Sequence, residues 1–260
     1  MPILDRLIVK NPLRLWLSKW GWGRATTPVA VFARERMAER NNEQVDWKEE
    51  KMSKGSRDFL SRFQEAHTKD SEFMSQQRVL AVTVANMFAG SDTTAITLRA
   101  IFYHLLCNPE TMKRLRQELD RDAVFDEDGL ATWSNVHELP YLSAVIKEGL
   151  RCHPAAGLSL ERVVPSTGLT IGSYSIPPGT IVGCNAWVIH QSESVFGDHT
   201  ELFRPERWLE ADEAQRNGMN NMLFSFGAGT RSCIGKNISL LEMYKLVPAL
   251  LHRFEKSLLM

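Results

Sequence analysis

From Ser71 to Cys107, apolar residues recur at helical spacing: Val79, Leu80, Val84, Met87 and Phe88, then Ile96, Leu98, Ile101, Phe102 and Leu105. This predicts one long helix over 71–107, stopped at Asn108-Pro109 because the residue before a proline disfavours helical geometry. At about 1.5 Å per residue such a helix crosses a whole domain. Apolar residues on several of its sides predict burial. A polar helix from Pro109 to Asp120 should lie on the surface, followed by a loop region over 122–139. A further helix runs from Pro140 to Cys152, where His153-Pro154 ends it. The period then shortens. Between 160 and 190 the segments LERVVP, LTI, YSI and TIVGCNAW read as short strands, with turns at Gly172-Ser173 and Pro177-Pro178-Gly179. Residues 191–232 show no clear period, and a last helix spans 233–255 with a kink at Pro248. Ahead of the long helix, 1–70 hold helix pieces broken near Gly21-Trp22-Gly23 and Pro28, with a charged loop over 41–58. No repeat or low-complexity tract is present. The expected fold class is mostly α with a small β part.

Composition narrows the function. The chain has 260 residues, 43% of them hydrophobic, enough for one large core or two modest domains. Lys+Arg and Asp+Glu both number 31, so net charge offers no case for nucleic acid. Cys107, Cys152, Cys184 and Cys233 lie far apart, without the spacing of a zinc site. No secretory signal is visible, so reduced thiols are expected. The basic, amphipathic start MPILDRLIVKNPLRLWLSKWGW is too interrupted by charge to span a bilayer.

The stretch FSFGAGTRSCIGK, 224–236, carries the strongest chemical signal. It places Cys233 at the mouth of a helix, where backbone N–H groups and the helix dipole favour a thiolate. Gly227, Gly229 and Gly235 permit tight turns and close approach of a flat or bulky group. Arg231 offers a fork for a carboxylate or phosphate. Three readings compete: a buried structural cysteine, a phosphate loop, or a metal-bound thiolate beside an anionic group. The phosphate loop fails on spacing, with five residues between Gly229 and Gly235-Lys236 and Asn237 where a magnesium-binding hydroxyl should stand. A dinucleotide loop fails because Ser232 replaces its third glycine.

The spacing Phe226-x-x-Gly229-x-Arg231-x-Cys233-x-Gly235 resembles the haem-thiolate loop of the cytochrome P-450 monooxygenases at every defining position. The resemblance implies haem b, with Cys233 as the axial iron ligand and Arg231 paired with a propionate. A thiolate there favours O–O cleavage. Other motifs follow in the family's order. Ala89-Gly90-Ser91-Asp92-Thr93-Thr94 resembles the oxygen-binding helix; alone, it reads as a kink or helix contact. Its threonine hydroxyls can bond back along the helix and widen it locally. The family comparison makes Thr93 the residue that holds the oxygen being reduced and Asp92 a proton relay toward it. Glu148-x-x-Arg151 places two side chains on one helix face, a pairing that is ordinarily a solvated ion pair. In the family it is buried and joined by the arginine of a Pro-Glu-Arg segment, here Arg207 in Phe203-Arg204-Pro205-Glu206-Arg207-Trp208, to lock the core that seats the haem. Trp208 stands where the family often has Phe.

The same comparison makes Arg162, otherwise an edge-strand charge, a second propionate partner. His190 and the other three cysteines read as core residues. The resemblance covers essentially the whole chain and is in detail similar to fungal members of the pisatin demethylase and benzoate hydroxylase type. It makes 1–260 a single partial domain, from which the membrane anchor, early helices and closing β hairpin of a longer parent are missing. It implies a monooxygenase that places one oxygen atom from O2 into a small apolar organic substrate. Electrons would come from an NADPH-dependent cytochrome P-450 reductase, at the endoplasmic reticulum membrane for a full-length parent, with no spanning segment in this chain. Phe88, Ala89 and the turn 155–160 are expected to face the substrate. The alternative is a non-catalytic remnant that holds haem weakly or not at all.

Overall fold

The computed structural model describes residues 28–42 and 58–254. The helix pieces before Pro28, most of the charged loop and the last residues lie outside these. The chain divides into two compact units, 1–89 and 90–260. In chain order the helices are α1 (Pro28–Asn42), α2 (Phe59–Lys69), α3 (Gln76–Cys107), α4 (Pro109–Asp122), α5 (Trp133–Val136) and α6 (Pro140–Cys152). Four strands follow: β1 (Leu160–Val163), β2 (Leu169–Ile171), β3 (Tyr174–Ile176) and β4 (Ile181–Cys184). Then come α7 (Ala186–Ile189), α8 (Glu193–Phe196), α9 (Glu206–Glu210), α10 (Glu213–Met222) and α11 (Lys236–Arg253). The fold is mostly α with a small β part.

In the first unit, Ala33 and Met37 of α1 and Val79 of α3 are buried. Asp58 caps α2 by accepting from the Ser61 amide at 2.9 Å, and Arg40 donates to it at 2.7 Å. Burial pushes the Asp58 carboxyl up, but the Ser61 amide and the Arg40 guanidinium outweigh it and bring it down to about 2. Pro28 opens α1 rather than breaking it, as its fixed φ and missing N–H allow at a first helical position. The long helix starts at Gln76, five residues later than the pattern predicts. Asp70 holds the chain in a turn by accepting from the Phe73 amide at 2.8 Å, and Ser75 then caps α3 through the Arg78 amide at 3.3 Å.

In the second unit, one core joins the C-terminal part of α3 (Ile101, Leu105), α4 (Leu115, Leu119), α6 (Leu142, Val145, Ile146) and α11 (Met243, Val247, Leu251). A smaller cluster of Ala144, Phe196, Trp208, Ala211 and Met219 covers the other side of α6. Helix α6 is therefore buried on nearly all faces. Its open N-terminal amides at Tyr141 and Leu142 are taken by the buried Glu118 carboxylate of α4, each at 2.8 Å. Contact with α3 is close at Gly149, where a Cβ would lie 2.4 Å from Ile101 Cγ1.

Several expectations change. Helix α4 is not a surface helix throughout, since Leu115, Glu118 and Leu119 face the core. Helix α3 is less buried than its composition suggests, and Phe88 is 66% exposed. The helix is long and apolar enough to cross a membrane by length and composition. Its second part instead packs Thr97, Ile101 and Leu105 within the unit. The segment after β4 is helical, because Asn185 caps α7 by accepting from the Trp187 amide at 2.9 Å. Helix α11 begins at Lys236, three residues past Cys233, and continues through Pro248. Strands β1 and β4 pair antiparallel, with Arg162 opposite Val182, while β2 and β3 form a hairpin turned at Gly172, φ +59°.

Candidate functional site

The loop that carries Cys233 is built from two short 3-10 turns, Phe224–Phe226 and Gly229–Arg231. Gly227 (φ +69°) and Gly229 (φ +66°) adopt backbone conformations that side chains disfavour, which is why glycine stands at both. The Cys233 amide donates to the Phe226 carbonyl at 2.7 Å and closes the loop on itself. Gly235 caps α11, and a Cβ there would sit 3.8 Å from the Cys233 sulfur. The thiol is exposed, and the following Ile234 is 100% exposed. Phe226 is half-buried against the main core.

Two arginines reach this loop. Arg162 of β1 donates through Nη2 to the Ala228 carbonyl at 3.3 Å and through Nη1 to the Glu161 carbonyl at 2.8 Å. Arg231 is exposed, within the second turn. The loop is tied to the end of α6 as well. Ser225 donates its hydroxyl to the Leu150 carbonyl at 2.7 Å, and the Phe224 amide donates to His190 Nε2 at 2.9 Å.

Glu148, Arg151 and Arg207 form one buried cluster. Glu148 Oε1 accepts from Arg151 Nη2 at 2.8 Å, the Arg204 amide at 2.9 Å and Arg207 Nε at 2.9 Å. Its Oε2 accepts from Arg151 Nε at 3.0 Å and the Trp208 indole N–H at 2.9 Å. Burial pushes the Glu148 carboxyl up, but Arg151, Arg207 and the Arg204 amide overcome it and hold it below the ordinary carboxylate value. The remaining guanidinium donors go to carbonyls: Arg151 to His190, Thr200 and Leu202, and Arg207 to Phe196 and His199. Burial beside Glu148 raises the neighbouring Cys152 thiol to about 12, which leaves it inert.

Asp92 and Thr93 lie exposed on α3. The helix passes through them without the widening that its polar run suggests, and the back-bond to the Thr93 carbonyl comes from Thr97, beyond that run, at 3.0 Å. The buried neighbour Thr94 meets Ser239 of α11, hydroxyl to hydroxyl, at 3.0 Å. Sequence reasoning missed this pair, the part played by His190 and Ser225, and the use of the Trp208 indole. The Trp208 N–H was the one readable signal, since a buried indole needs an acceptor.

Thus a mostly helical unit presents one exposed thiol on a glycine turn, flanked by two arginines and anchored to a buried ionic cluster. Comparison with known proteins identifies the class. The family model described as "Cytochrome P450" matches residues 12–260. The chain is 46% identical over 261 residues to a cytochrome P450 monooxygenase of Aspergillus terreus, covering 100% of this chain and 52% of that protein. It is 42% identical to the cytochrome P450 monooxygenase cicH of Emericella nidulans over 256 residues, 98% of this chain and 49% of that one. A pisatin demethylase of Fusarium vanettenii is 49% identical over 170 residues, 65% of this chain and 32% of its own length. The chain belongs to the cytochrome P450 family, and it spans about half the length of the Aspergillus terreus and Emericella nidulans relatives.

Membership implies a haem iron cofactor. The residues fit such a group. Haem is a flat apolar disc with two carboxylates. The loop offers a thiol donor, open space above Gly229 and the Arg231 guanidinium, and Arg162 of β1 reaches its Ala228 carbonyl.

Proposed function

We propose that the chain is the cysteine-bearing part of a haem-thiolate monooxygenase. The observation that carries this reading is the Cys233 thiol, exposed on a closed glycine loop that Arg162 also reaches. Cys233 would supply the thiolate that holds haem b, with Gly235 leaving room beside the sulfur. Arg231 and Arg162 would pair with its propionates. Haem held there supplies oxygen activation, in which O2, two electrons and two protons yield one oxygen atom in a substrate C–H bond and one water. Asp92 and Thr93 would pass the protons, a carboxylate and a hydroxyl at adjacent positions serving as acid and shuttle. Glu148, Arg151 and Arg207 act structurally, holding the loop's support. Both units, 1–89 and 90–260, belong to one cytochrome P450 domain in this reading. The substrate is a small apolar organic molecule, and the electrons come from an NADPH-dependent cytochrome P450 reductase at the endoplasmic reticulum.

Exposure of Arg162 and Phe88 supports a second reading, in which the chain holds haem weakly or not at all. Magnetic resonance on hemin-loaded chain separates the two. The first reading expects a low-spin thiolate signature that Cys233→Ala removes. Nitrogen or water ligation alone would favour the second.

A further inference from the structure

Helix α6 ends at His153-Pro154, and this leaves a specific deficit. Pro154 has no N–H, so the Leu150 carbonyl has no donor four residues on. The cysteine loop fills it, through the Ser225 hydroxyl at 2.7 Å. The next carbonyl, Arg151, is met by His190 Nδ1 at 2.9 Å. On the other side of the same ring, Nε2 lies 2.9 Å from the Phe224 amide nitrogen.

The partners set the ring's state. A carbonyl only accepts, so Nδ1 carries the proton. An amide N–H only donates, so Nε2 must offer its lone pair. The imidazole is therefore neutral, in a single tautomer. It is 0% exposed, and burial and the nearby Arg151 charge favour that neutral form. Two residues beyond Phe224, the Phe226 carbonyl receives the Cys233 amide.

We propose that His190 is the positioning residue of the Cys233 loop, transmitting the place of the Arg151 backbone through its ring to Phe224 and so to the thiol. The same helix end thus serves two tasks: its Arg151 side chain enters the Glu148 cluster, and its carbonyls hold the loop. The consequence for ligation rests on the haem-thiolate reading; the consequence for the loop does not.

The test separates the two ring nitrogens. His190→Asn keeps a donor near Nδ1 and removes the acceptor for Phe224. His190→Gln keeps an acceptor near Nε2. Hydrogen exchange of residues 224–233 in the haem-free chain should be about tenfold faster in the Asn variant and within about twofold of the parent in the Gln variant. Ser225→Ala, which disturbs no buried ring, should speed the same segment several-fold and covers the case in which the Asn variant does not fold. With hemin and carbon monoxide, the Asn variant should lose the thiolate-type red-shifted band in favour of the shorter-wavelength form, and Gln should restore it. Equal exchange in Asn and Gln, or unchanged exchange in Ser225→Ala, would overturn the assignment. A parent chain that takes up no haem would remove the proposed function while the exchange results still decide the role of His190.

Discussion

Thr94 and Ser239, 145 residues apart in the chain, place their hydroxyl oxygens 3.0 Å from one another. The pair ties the helix turn that carries Asp92 and Thr93 to the helix that leaves the cysteine loop at Gly235. Ser239→Ala removes this tie while sparing the residues proposed for chemistry. A loss of about 1 kcal/mol is expected in thermal or denaturant unfolding. In haem-loaded protein supplied with electrons, more hydrogen peroxide should appear per reducing equivalent consumed. Unchanged peroxide yield would detach the pair from proton delivery.

Trp208 spends its indole N–H on Glu148. Trp208→Phe keeps most of the ring volume between Phe196 and Met219 and deletes that one donor to a buried charge. About 2 kcal/mol of stability should be lost, measured as a lower denaturant midpoint with an unchanged slope. A neutral result would mean that Arg151 and Arg207 satisfy the carboxylate without the indole.

Removing the carboxylate itself is far more damaging. Glu148→Ala leaves Arg151 and Arg207 buried without their counter-charge, and a loss of about 3–5 kcal/mol is expected, or no folded protein. A variant that unfolds like the parent yet loses turnover would contradict the structural role.

Close approach sets a further limit. Gly149→Ala would bring a Cβ to 2.4 Å from Ile101 Cγ1 on the facing helix. The overpacking should cost about 1–3 kcal/mol in an unfolding titration.

Acid should weaken the fold through His190. Its folded-state value lies below the ordinary imidazole value of 6.5, chiefly because it is buried. Well above pH 6.5 neither state holds the proton, and the pH effect vanishes. Below it the unfolded chain binds a proton that the folded chain excludes, so stability declines as pH falls. Glu148, depressed in the fold below its ordinary 4.5, adds a second decline under that value. The first decline should be shallower in His190→Gln, read from unfolding midpoints across the range; an identical slope would mean that other groups supply it.

Element types were legible where local chemistry and burial agree. Helix α6 ends where its pattern ends, because Pro140 suits a first helical position and His153-Pro154 stops it. The start of α3 was misplaced since Asp70 and Ser75 act through side-chain hydrogen bonds that apolar spacing does not record. The 191–232 region hid α8, α9 and α10 because four to ten residues are too few for a helical period to show. At the candidate site, Cys233 stands out by its glycine-rich setting at a helix mouth, whereas Glu148, Arg151, Arg207 and Arg162 are singled out only by the family resemblance, because alone they read as a solvated ion pair and edge charges. Thr94–Ser239 and the His190 relay could not be named in advance, since their meaning lies in pairings between residues 34 to 145 positions apart.

The central claim is sulfur ligation by Cys233, and the carbon monoxide spectrum of the reduced, hemin-loaded chain tests it most directly. The account predicts a strongly red-shifted Soret band in the parent chain that is absent in Cys233→Ala. A colourless protein, or a band of unshifted type that survives the substitution, would contradict it.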